Sequence, residues 1–464
     1  MKVIMIISDT FRRDHVGAYG NPWIHTTHLD ALARCSGVFE NAFVGSFPTG
    51  PNRRDTLLGH SDRKQIFNAW RFIENNEITL PEILGDKKIV SQLITDVANC
   101  VSRGRNYYKG FTSWAFNRGQ EGDPCWLNDD VPLVFTCDPS MVRYPDERWH
   151  QVLMNRAHRM VETDWFAPGT FNMAIDWLTQ NHRRKDFLLW IDTFDPHEPW
   201  DPPQHYIDLY DPDFKGTLYE APTYGLRRKM GITDRELKQI RARYAGEVSM
   251  VDNWVGQLVA SLHRLSIHEE TAIIFTSDHG AYFDYPGDSG LLCKPVRTAK
   301  SGHWVHGAKA PKDLLYFPMR LALSNIPLII HLPGQTKGRR VKAITQPWDL
   351  MPTMLQLFGI KPPKTCIGRS LVPLVTGKKK TNRAHAVYGL GSSQAHVANG
   401  RWLYAAWRDA AVPPMLFDRK SDLHLQKNVA GKHVDVVRKL HKELIAFARS
   451  ADALEDTIEG WNTL

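Results

Sequence analysis

Two short sequences combine residue types that can bind a metal ion. Asp9 ends an apolar run in "SDT", and Asp278 and His279 follow a second apolar run in "SDHG". Two carboxylates and an imidazole that converge from neighbouring strands form a mixed oxygen and nitrogen site, which suits Ca²⁺, Mg²⁺, Mn²⁺ or Zn²⁺. For each motif alone, the alternative is an aspartate that caps a helix.

A third sequence, "TGPNRRDTLLG", predicts a hydroxyl group at the start of a helix. Gly50 permits a tight turn, Pro51 suits the first helical position, and Gly59 is typical of a helix end. Free backbone N–H groups and the helix dipole at such a start favour an oxyanion, and Arg53 follows one turn later. Thr49 is therefore a candidate nucleophile, with a simple helix cap as the alternative.

The apolar runs that precede these residues predict the strands of one buried sheet. They cover residues 3–7, 187–191, 272–275 and 326–332, and we interpret all of them as parallel strands. Helical patterns lie between them, the clearest with apolar residues at 248, 251, 255, 258, 259 and 262. The alternation predicts an α/β fold with a doubly wound, mostly parallel central sheet flanked by helices, and an active site beyond the carboxyl ends of the strands.

The sequence pattern changes near residue 376. The run "GKKKTNR" is typical of a solvated linker, and a strand-like "GRWLYAAW" and a helix-like "VDVVRKLHKELIAFA" follow it. We expect a catalytic α/β domain over residues 1–375. A small C-terminal α+β subdomain, residues 376–464, is expected to pack on it.

Composition limits the compartment and the partners. The 464 residues are 42% hydrophobic, and the six cysteines lie far apart without CxxC spacing, which indicates reduced thiols in a cytoplasmic protein. The first residues lack the length and cleavage site of a signal peptide, and no run of about 18 apolar residues predicts a membrane span. The formal net charge of +8 comes without a nucleic-acid-binding motif and favours an anionic small-molecule or sugar ester. A homo-oligomer remains open.

Taken together and in this order, the motifs resemble those of the sulfatase branch of the alkaline phosphatase superfamily, which also contains phosphonate monoester hydrolases and phosphodiesterases. "DTFRRDHVGAYGN" resembles the opening segment, "TGPNRRDTLLG" the C-x-P-x-R-x-x-L-L-T-G signature, "DTFDPHEPW" the middle histidine segment and "SDHG" the second metal motif. "LFDRKSDLHLQKNVAGKH" is similar to the closing strand and tail of such chains. The resemblance covers nearly the full length and implies an alkaline phosphatase-like fold.

The resemblance implies a role for each matching residue. One divalent metal ion would be held by Asp9, Asp278, His279 and the oxygen of Thr49. Arg53 would stabilise the nucleophile and the charge that develops during transfer. The family usually has a second acid after the first aspartate, whereas Thr10 follows Asp9 here, so we expect fewer carboxylates around the metal.

Further matches concern the substrate. His197 matches the substrate-side or leaving-group histidine and is a candidate general acid, with a structural histidine as the alternative. Lys294, in "SGLLCKP", matches the active-site lysine, and Lys309, in "HGAKAP", is its rival. Additional candidates for substrate binding are Asn99, Lys309, His303 and His306. A second metal, which would need Asp192, His197 and His303 or His306, is not preferred because the spacing departs from that pattern.

Thr49 determines the functional hypothesis. Sulfatases of this family convert the signature cysteine or serine into formylglycine, whose hydrated form expels sulfate by returning to the aldehyde, and threonine cannot form that aldehyde. A metal-bound threonine alkoxide can still attack a phosphorus centre, and water can hydrolyse the product. We therefore expect a hydrolase of phosphate diesters or phosphonate monoesters. The alternatives are a sulfatase acting on an aryl or sugar sulfate, and a pseudoenzyme that binds an anion.

Overall fold

The structure, a computed structural model, describes residues 1–62, 71, 73–101, 104–144, 146–294, 317–390 and 393–462. Its strands are β1 (Lys2–Ser8), β2 (Gly37–Ala42), β3 (Ser46–Phe47), β4 (Val90–Thr95), β5 (Ser113–Phe116), β6 (Phe187–Thr193), β7 (Gly225–Leu226), β8 (Thr271–Thr276), β9 (Tyr282–Phe283), β10 (Leu291–Cys293), β11 (Leu328–His331), β12 (Arg339–Thr345), β13 (Ala386–Leu390), β14 (Gln394–Ala398), β15 (Trp402–Trp407) and β16 (Met415–Asp418). Its helices are α1 (Thr27–Arg34), α2 (Thr49–Leu58), α3 (Leu80–Asp86), α4 (Ala98–Val101), α5 (Asp146–Arg156), α6 (Phe166–Asn181), α7 (Gln204–Asp208), α8 (Asp234–Arg264), α9 (Leu321–Ser324), α10 (Leu350–Leu357), α11 (Val372–Val375), α12 (Val434–Ser450) and α13 (Glu455–Glu459).

The central sheet is mixed but mostly parallel. Its strand order is β12-β2-β11-β8-β1-β6-β4-β5, and the five strands from β8 to β5 are parallel neighbours. The predicted α/β class is therefore confirmed. The prediction that the apolar run at 326–332 forms a parallel strand is wrong, because β11 pairs antiparallel with both β8 and β2. A short apolar run indicates burial but not strand direction.

Both faces of the central sheet are buried. Side chains alternate along β1, so that Val3, Met5 and Ile7 pack in one hydrophobic cluster while Ile4 and Ile6 pack in another. The first cluster includes residues of α3 and α10, and the second includes the apolar face of α8. The long helix predicted from the pattern at 248–262 is thereby confirmed. Helices on both faces leave the ends of the strands as the open edge where a site can form.

A second sheet connects the C-terminal strands to the start of α2. Its order is β16-β15-β14-β13-β3, and β13 runs parallel to β3. Leu440 and Leu444 of α12 pack against Val397 and Tyr404 of this sheet. The predicted strand in "GRWLYAAW" and the helix after it are confirmed as β15 and α12. The domain division at residue 375 stays a prediction.

Two observations concern cysteines and membrane spans. All six cysteines are free thiols. Among the helices in the described ranges, none combines the length and the apolar character that membrane crossing requires.

The helix α2 begins directly after β3. Its first residue is Thr49, two residues before the start predicted from Pro51, and Gly59 ends it with a φ of 69°. Asp55 links the helix to the strand, since its Oδ2 accepts a hydrogen bond from Ser46 N at 2.6 Å and its Oδ1 accepts one from Ser46 Oγ at 3.1 Å. Strand, turn and helix therefore hold Thr49 as one unit.

The carboxyl of Asp55 should make stability depend on pH. Burial raises its pKa to about 7, whereas an aspartate in an unfolded chain has a pKa of about 3.9. The folded state therefore holds this proton more tightly, and the resulting stability is present at low pH and is lost as the pH rises through about 7. We expect Asp55→Asn to flatten the fall in unfolding temperature between about pH 4 and pH 7, measured with a chelator present. The exposed Asp86→Asn serves as control, and parallel curves for native protein and D55N would contradict the assignment.

Candidate active site

Asp9, Asp278 and His279 lie together beyond the carboxyl ends of β1 and β8. All three are buried, and one ligand atom from each lies within 4.8 Å of the others. His279 Nε2 is 3.9 Å from Asp9 Oδ1 and 3.7 Å from Asp278 Oδ2. Its Nδ1 lies 2.8 Å from the carbonyl oxygen of Gly280, which places the proton on Nδ1 and directs an Nε2 lone pair toward the carboxylates.

These three side chains fit a divalent cation. Burial and the neighbouring Asp278 raise the pKa of Asp9 well above its usual value. Burial lowers the pKa of His279 to about 3, which keeps the ring in the neutral form that binds metals. The buried Nε2 of His279 has no hydrogen-bond partner within the described part of the chain. A cation would satisfy this nitrogen and relieve the repulsion between the carboxylates.

Thr10 connects the two carboxylates. Its backbone N–H donates to Asp278 Oδ1 at 3.0 Å, and its hydroxyl donates to Asp9 Oδ1 at 2.7 Å. The residue has a φ of 62°, in the left-handed region that residues other than glycine seldom adopt. The departure from the family pattern thus places a hydrogen-bond donor where the family usually has a second acid. The cluster of possible metal ligands in the described residues contains two carboxylates.

Arg53 is the positive charge at the centre of the site. Its Nη1 donates to Asp278 Oδ2 at 2.7 Å and to Asp9 Oδ2 at 3.2 Å. Its Nε and Nη2 bind Asp192, at 2.8 Å to Oδ2 and 2.6 Å to Oδ1. Asp192, considered in the sequence as a ligand for a second metal, is engaged by this guanidinium. Arg53 is 1% exposed, so these ion pairs lie out of water.

Thr49 is buried at the N-terminus of α2. The N-cap residue is Pro48, so the helix start has no side-chain cap. The carbonyl oxygen of Thr49 accepts a hydrogen bond from Arg53 Nη1 at 3.1 Å, while Asn52 Nδ2 donates to the Asp278 carbonyl oxygen at 2.9 Å. The first turn of α2 is thus attached directly to the cluster of Asp9, Asp278 and His279.

His197 and Lys294 are buried beside this cluster. The positive charge of Lys294 lowers the pKa of Asp9, His197 and His279. Lys294 therefore lies within electrostatic reach of all three. Burial and the charges of Lys294 and Arg143 hold the pKa of His197 well below its usual range. His197 is therefore a neutral imidazole at pH 7 until a substrate or a proton transfer changes its surroundings.

The other predicted substrate-binding residues are Asn99, Lys309, His303 and His306, and the structure describes one of them, Asn99. Asn99 is half-buried, and its Nδ2 donates to Glu121 Oε2 at 3.0 Å. Glu121 also accepts hydrogen bonds from Tyr144 and Arg148. The remaining three candidates, Lys309, His303 and His306, lie outside the described residues.

Sequence reasoning missed four contributors to the site. They are Thr10, Asn52, Asp192 as the partner of Arg53, and Glu198 beside His197. Asp192 carried a usable signal, since it ends a buried strand next to the strand that ends at Asp9. The others act through backbone atoms or through contacts that have no fixed spacing in sequence.

The fold and this site define the class: a hydrolase that acts on the ester bonds of anionic substrates. The chain belongs to the sulfatase family of the alkaline phosphatase superfamily. The Sulfatase family model matches residues 2–360, and the model described as N-sulphoglucosamine sulphohydrolase, C-terminal, matches residues 318–450. Sulfatase-family proteins bind a divalent metal, and the group formed by Asp9, Asp278 and His279 could hold one.

Similar proteins differ in the esters that their names mention. Arylsulfatase K of Xenopus laevis is 22% identical over 481 residues, which cover 95% of this chain and 81% of the frog protein. The crystal structure of phosphonate monoester hydrolase from Agrobacterium radiobacter has a TM-score of 0.73 at 19% identity, over 97% of this chain and 96% of that chain. A solved structure in complex with its substrate, D-glucosamine-2-N,6-O-disulfate, has a TM-score of 0.69 at 17% identity, over 97% and 98% of the two chains. At these identities the structural likeness shows the fold alone.

A divalent cation should stabilise the folded protein through His279. Binding to the native state alone adds about 2.7 kcal/mol to the free energy of unfolding when the free cation is about 100 times its Kd. We expect Mn²⁺, Ca²⁺, Mg²⁺ or Zn²⁺ to raise the unfolding temperature of chelator-treated protein, and His279→Gln to remove most of that rise. His396→Gln is the matched control, because His396 is also fully buried with one unpartnered ring nitrogen in the described structure. Equal cation responses in the two variants would contradict the site.

Proposed function

We propose that the protein hydrolyses phosphate diesters or phosphonate monoesters with Thr49 as the covalent nucleophile. One observation carries the proposal. A buried threonine begins α2, in the segment that resembles the family signature, and the same first turn binds the cluster of Asp9, Asp278 and His279 through Arg53. A hydroxyl in this place is a nucleophile that cannot become formylglycine.

In the proposed reaction, Thr49 Oγ1 forms a bond to the phosphorus atom while the bond to one ester oxygen breaks with its electron pair on that oxygen. The hydroxyl proton of Thr49 passes to the leaving oxygen, or to solvent when the leaving group is a stable phenolate. Arg53 stabilises the negative charge that develops, since its Nη1 is bound to both the Thr49 carbonyl and Asp278. Free N–H groups at the start of α2 favour the same anion. A divalent cation held by Asp9, Asp278, His279 and Thr49 would supply Lewis acidity and a lower hydroxyl pKa.

The second step of the proposed reaction distinguishes phosphorus esters from sulfate esters. Attack on a phosphate diester or a phosphonate monoester leaves a covalent ester on Thr49, which water can hydrolyse at the phosphorus atom. A sulfate ester of threonine lacks the elimination by which formylglycine releases sulfate and should turn over slowly. The identity of the nucleophile therefore favours phosphorus substrates.

Sulfate ester hydrolysis is the second candidate. It is supported by the likeness to arylsulfatase K and by the structural likeness to a protein that binds a disulfated glucosamine. Sulfate monoesters carry the same single negative charge as the two phosphorus classes, so charge alone does not separate them. With threonine in the nucleophile position, a sulfatase would need direct attack of water on sulfur.

The first test is Thr49→Val, which replaces the hydroxyl with a methyl group at nearly constant shape. Turnover of a phosphonate monoester and a phosphate diester with one chromogenic leaving group should fall about 1000-fold or more, corresponding to about 4 kcal/mol of lost transition-state stabilisation. Thr49→Ser, which keeps a hydroxyl, should retain most of the activity. Steady-state rates on metal-repleted protein measure this, with the corresponding sulfate monoester as third substrate. Faster sulfate turnover by the native protein, or an unchanged rate in T49V, would exclude the threonine mechanism.

A second test is Thr49→Cys, which restores the C-x-P-x-R pattern with Pro51 and Arg53. In a host that forms formylglycine in sulfatases, we expect the variant to gain the aldehyde and to shift its preference toward the sulfate monoester. The aldehyde is detected by peptide mass, and the shift is the ratio of kcat/KM for the two substrate types. Thr49→Cys expressed without formylglycine formation is the control. An aldehyde-bearing variant with no gain on sulfate would show that the nucleophile does not determine the ester.

A further inference from the structure

The carboxylate of Glu198 lies next to the imidazole of His197. The imidazole is stacked on Phe194, with ring centroids 4.0 Å apart. Its Nδ1 lies 2.7 Å from the carbonyl oxygen of Glu198 and 3.3 Å from the carboxylate Oε2 of the same residue. Two oxygen acceptors on one side of the ring place the proton on Nδ1 and leave Nε2 as the acceptor.

Only one of the two carboxylate oxygens of Glu198 accepts hydrogen bonds from the described residues. Its Oε1 accepts hydrogen bonds from Arg143 Nη1 and Tyr224 Oη. Its Oε2 has no hydrogen-bond partner within the described residues, although the side chain is fully buried. A buried acceptor without a donor is unfavourable, and the imidazole Nδ1 of His197 lies 3.3 Å from this oxygen.

Most of the surroundings of His197 oppose protonation of its ring. Burial, Lys294, Arg143 and His279 all lower the pKa of His197, while its hydrogen bond to the Glu198 carbonyl oxygen raises it. Glu198 is the acidic group in direct contact with the ring among the described residues. A proton that reached Nε2 would therefore be stabilised by Oε2, in the way that a buried aspartate stabilises the imidazolium of a catalytic triad.

A threonine nucleophile creates a need for such a base. Because the covalent ester on Thr49 has no elimination route, water must attack it, and the proton of that water must be accepted. His197 follows β6, and the end of β6 is bound to the end of β1 by hydrogen bonds from Asp9 N to the Thr193 carbonyl oxygen at 2.9 Å and from Ser8 Oγ to the Asp195 carbonyl oxygen at 2.6 Å. The imidazole therefore belongs to the same end of the sheet as Asp9. A neutral ring whose Nε2 is an acceptor is suited to this step.

We propose that Glu198 is a positioning residue that holds His197 as the general base for hydrolysis of the covalent intermediate on Thr49. The inference rests on the proposed function. The water oxygen forms a bond to phosphorus, a water proton moves to His197 Nε2, and the bond between phosphorus and Thr49 Oγ1 breaks with its electron pair on Oγ1. The imidazolium then returns the proton to Oγ1, so that the cycle balances without another donor.

The experiment uses 4-nitrophenyl phenylphosphonate with metal-repleted enzyme in rapid-quench kinetics. Nitrophenolate leaves without protonation, so formation of the intermediate does not need His197. Glu198→Gln should keep the nitrophenolate burst while the steady-state rate falls about 10- to 100-fold, as when a group that orients a histidine is removed. The adduct on Thr49, detected by peptide mass after quenching, should accumulate, and the pH dependence of kcat should change.

Glu247→Gln is the matched control. Glu247 is also a buried carboxyl with an unpartnered Oε2 in the described structure, but it accepts a hydrogen bond from Asp201 N and has no contact with His197. Its substitution should leave the burst, the adduct level and the pH profile unchanged. In a His197→Ala background, Glu198→Gln should cause no further loss, because a positioning residue acts through the histidine. If E198Q does not fold, Glu198→Asp, which shortens the reach toward Nδ1, replaces it.

Other outcomes overturn the inference. They are an unchanged adduct level and pH profile in E198Q, an equal effect in E247Q, or a further loss in the H197A background. A missing Thr49 adduct and burst in every protein would instead refute the proposed function and, with it, a base that acts on that adduct. The two failures are thus distinguished by whether the adduct forms at all.

Discussion

The buried guanidinium of Arg53 is the interaction on which the site depends. Burial of Asp9, Asp192 and Asp278 in one place would be strongly unfavourable without a positive charge among them. Burial alone would lower the pKa of Arg53, but these three carboxylates raise it well above its usual value. The ion pairs keep the carboxylates close enough for a metal and hold the first turn of α2 against them. Removal of Arg53 would leave three buried acids unpaired, so it cannot be treated as a catalytic group alone.

The location of Arg53 depends in turn on how α2 is anchored. Its first residue follows β3, which belongs to the second sheet through β13, while Asn52 and Arg53 bind groups at the end of the central sheet. Asp55 closes the unit by accepting hydrogen bonds from Ser46. Thr49 is thus placed by two sheets rather than by one loop. This gives the C-terminal strands a direct part in the geometry of the site.

The sequence predicted the parts of this arrangement that have a local signature. Apolar runs, a helix pattern and acids at strand ends were sufficient to place β1, β6, β8, α8 and the ligand cluster. The direction of β11 was predicted wrongly because a hydrophobic run indicates burial and not the direction of the strand. The pairing of Arg53 with Asp192 and the hydrogen bond from Thr10 to Asp278 are set by packing between distant segments. The contacts of Thr10 with Asp9 and of Glu198 with His197 join neighbouring residues, but they depend on a local conformation that the sequence pattern does not specify. No spacing rule encodes such contacts.

The sum of the side-chain charges in the site bears on the charge of the substrate. Arg143 and Arg148 are paired with Glu198 and Glu121, so these four side chains contribute little net charge. In the centre, Arg53 and Lys294 carry two positive charges against the three aspartates around Arg53. A divalent cation there would bring the sum to one positive charge while Thr49 is a neutral hydroxyl. A phosphate diester, a phosphonate monoester or a sulfate monoester carries one negative charge and restores neutrality. A phosphate monoester dianion would leave the buried site with excess negative charge, whose desolvation is costly. We infer from this balance that the site favours monoanionic esters. Under the proposed mechanism, Thr49 and not the charge would distinguish phosphorus esters from sulfate esters.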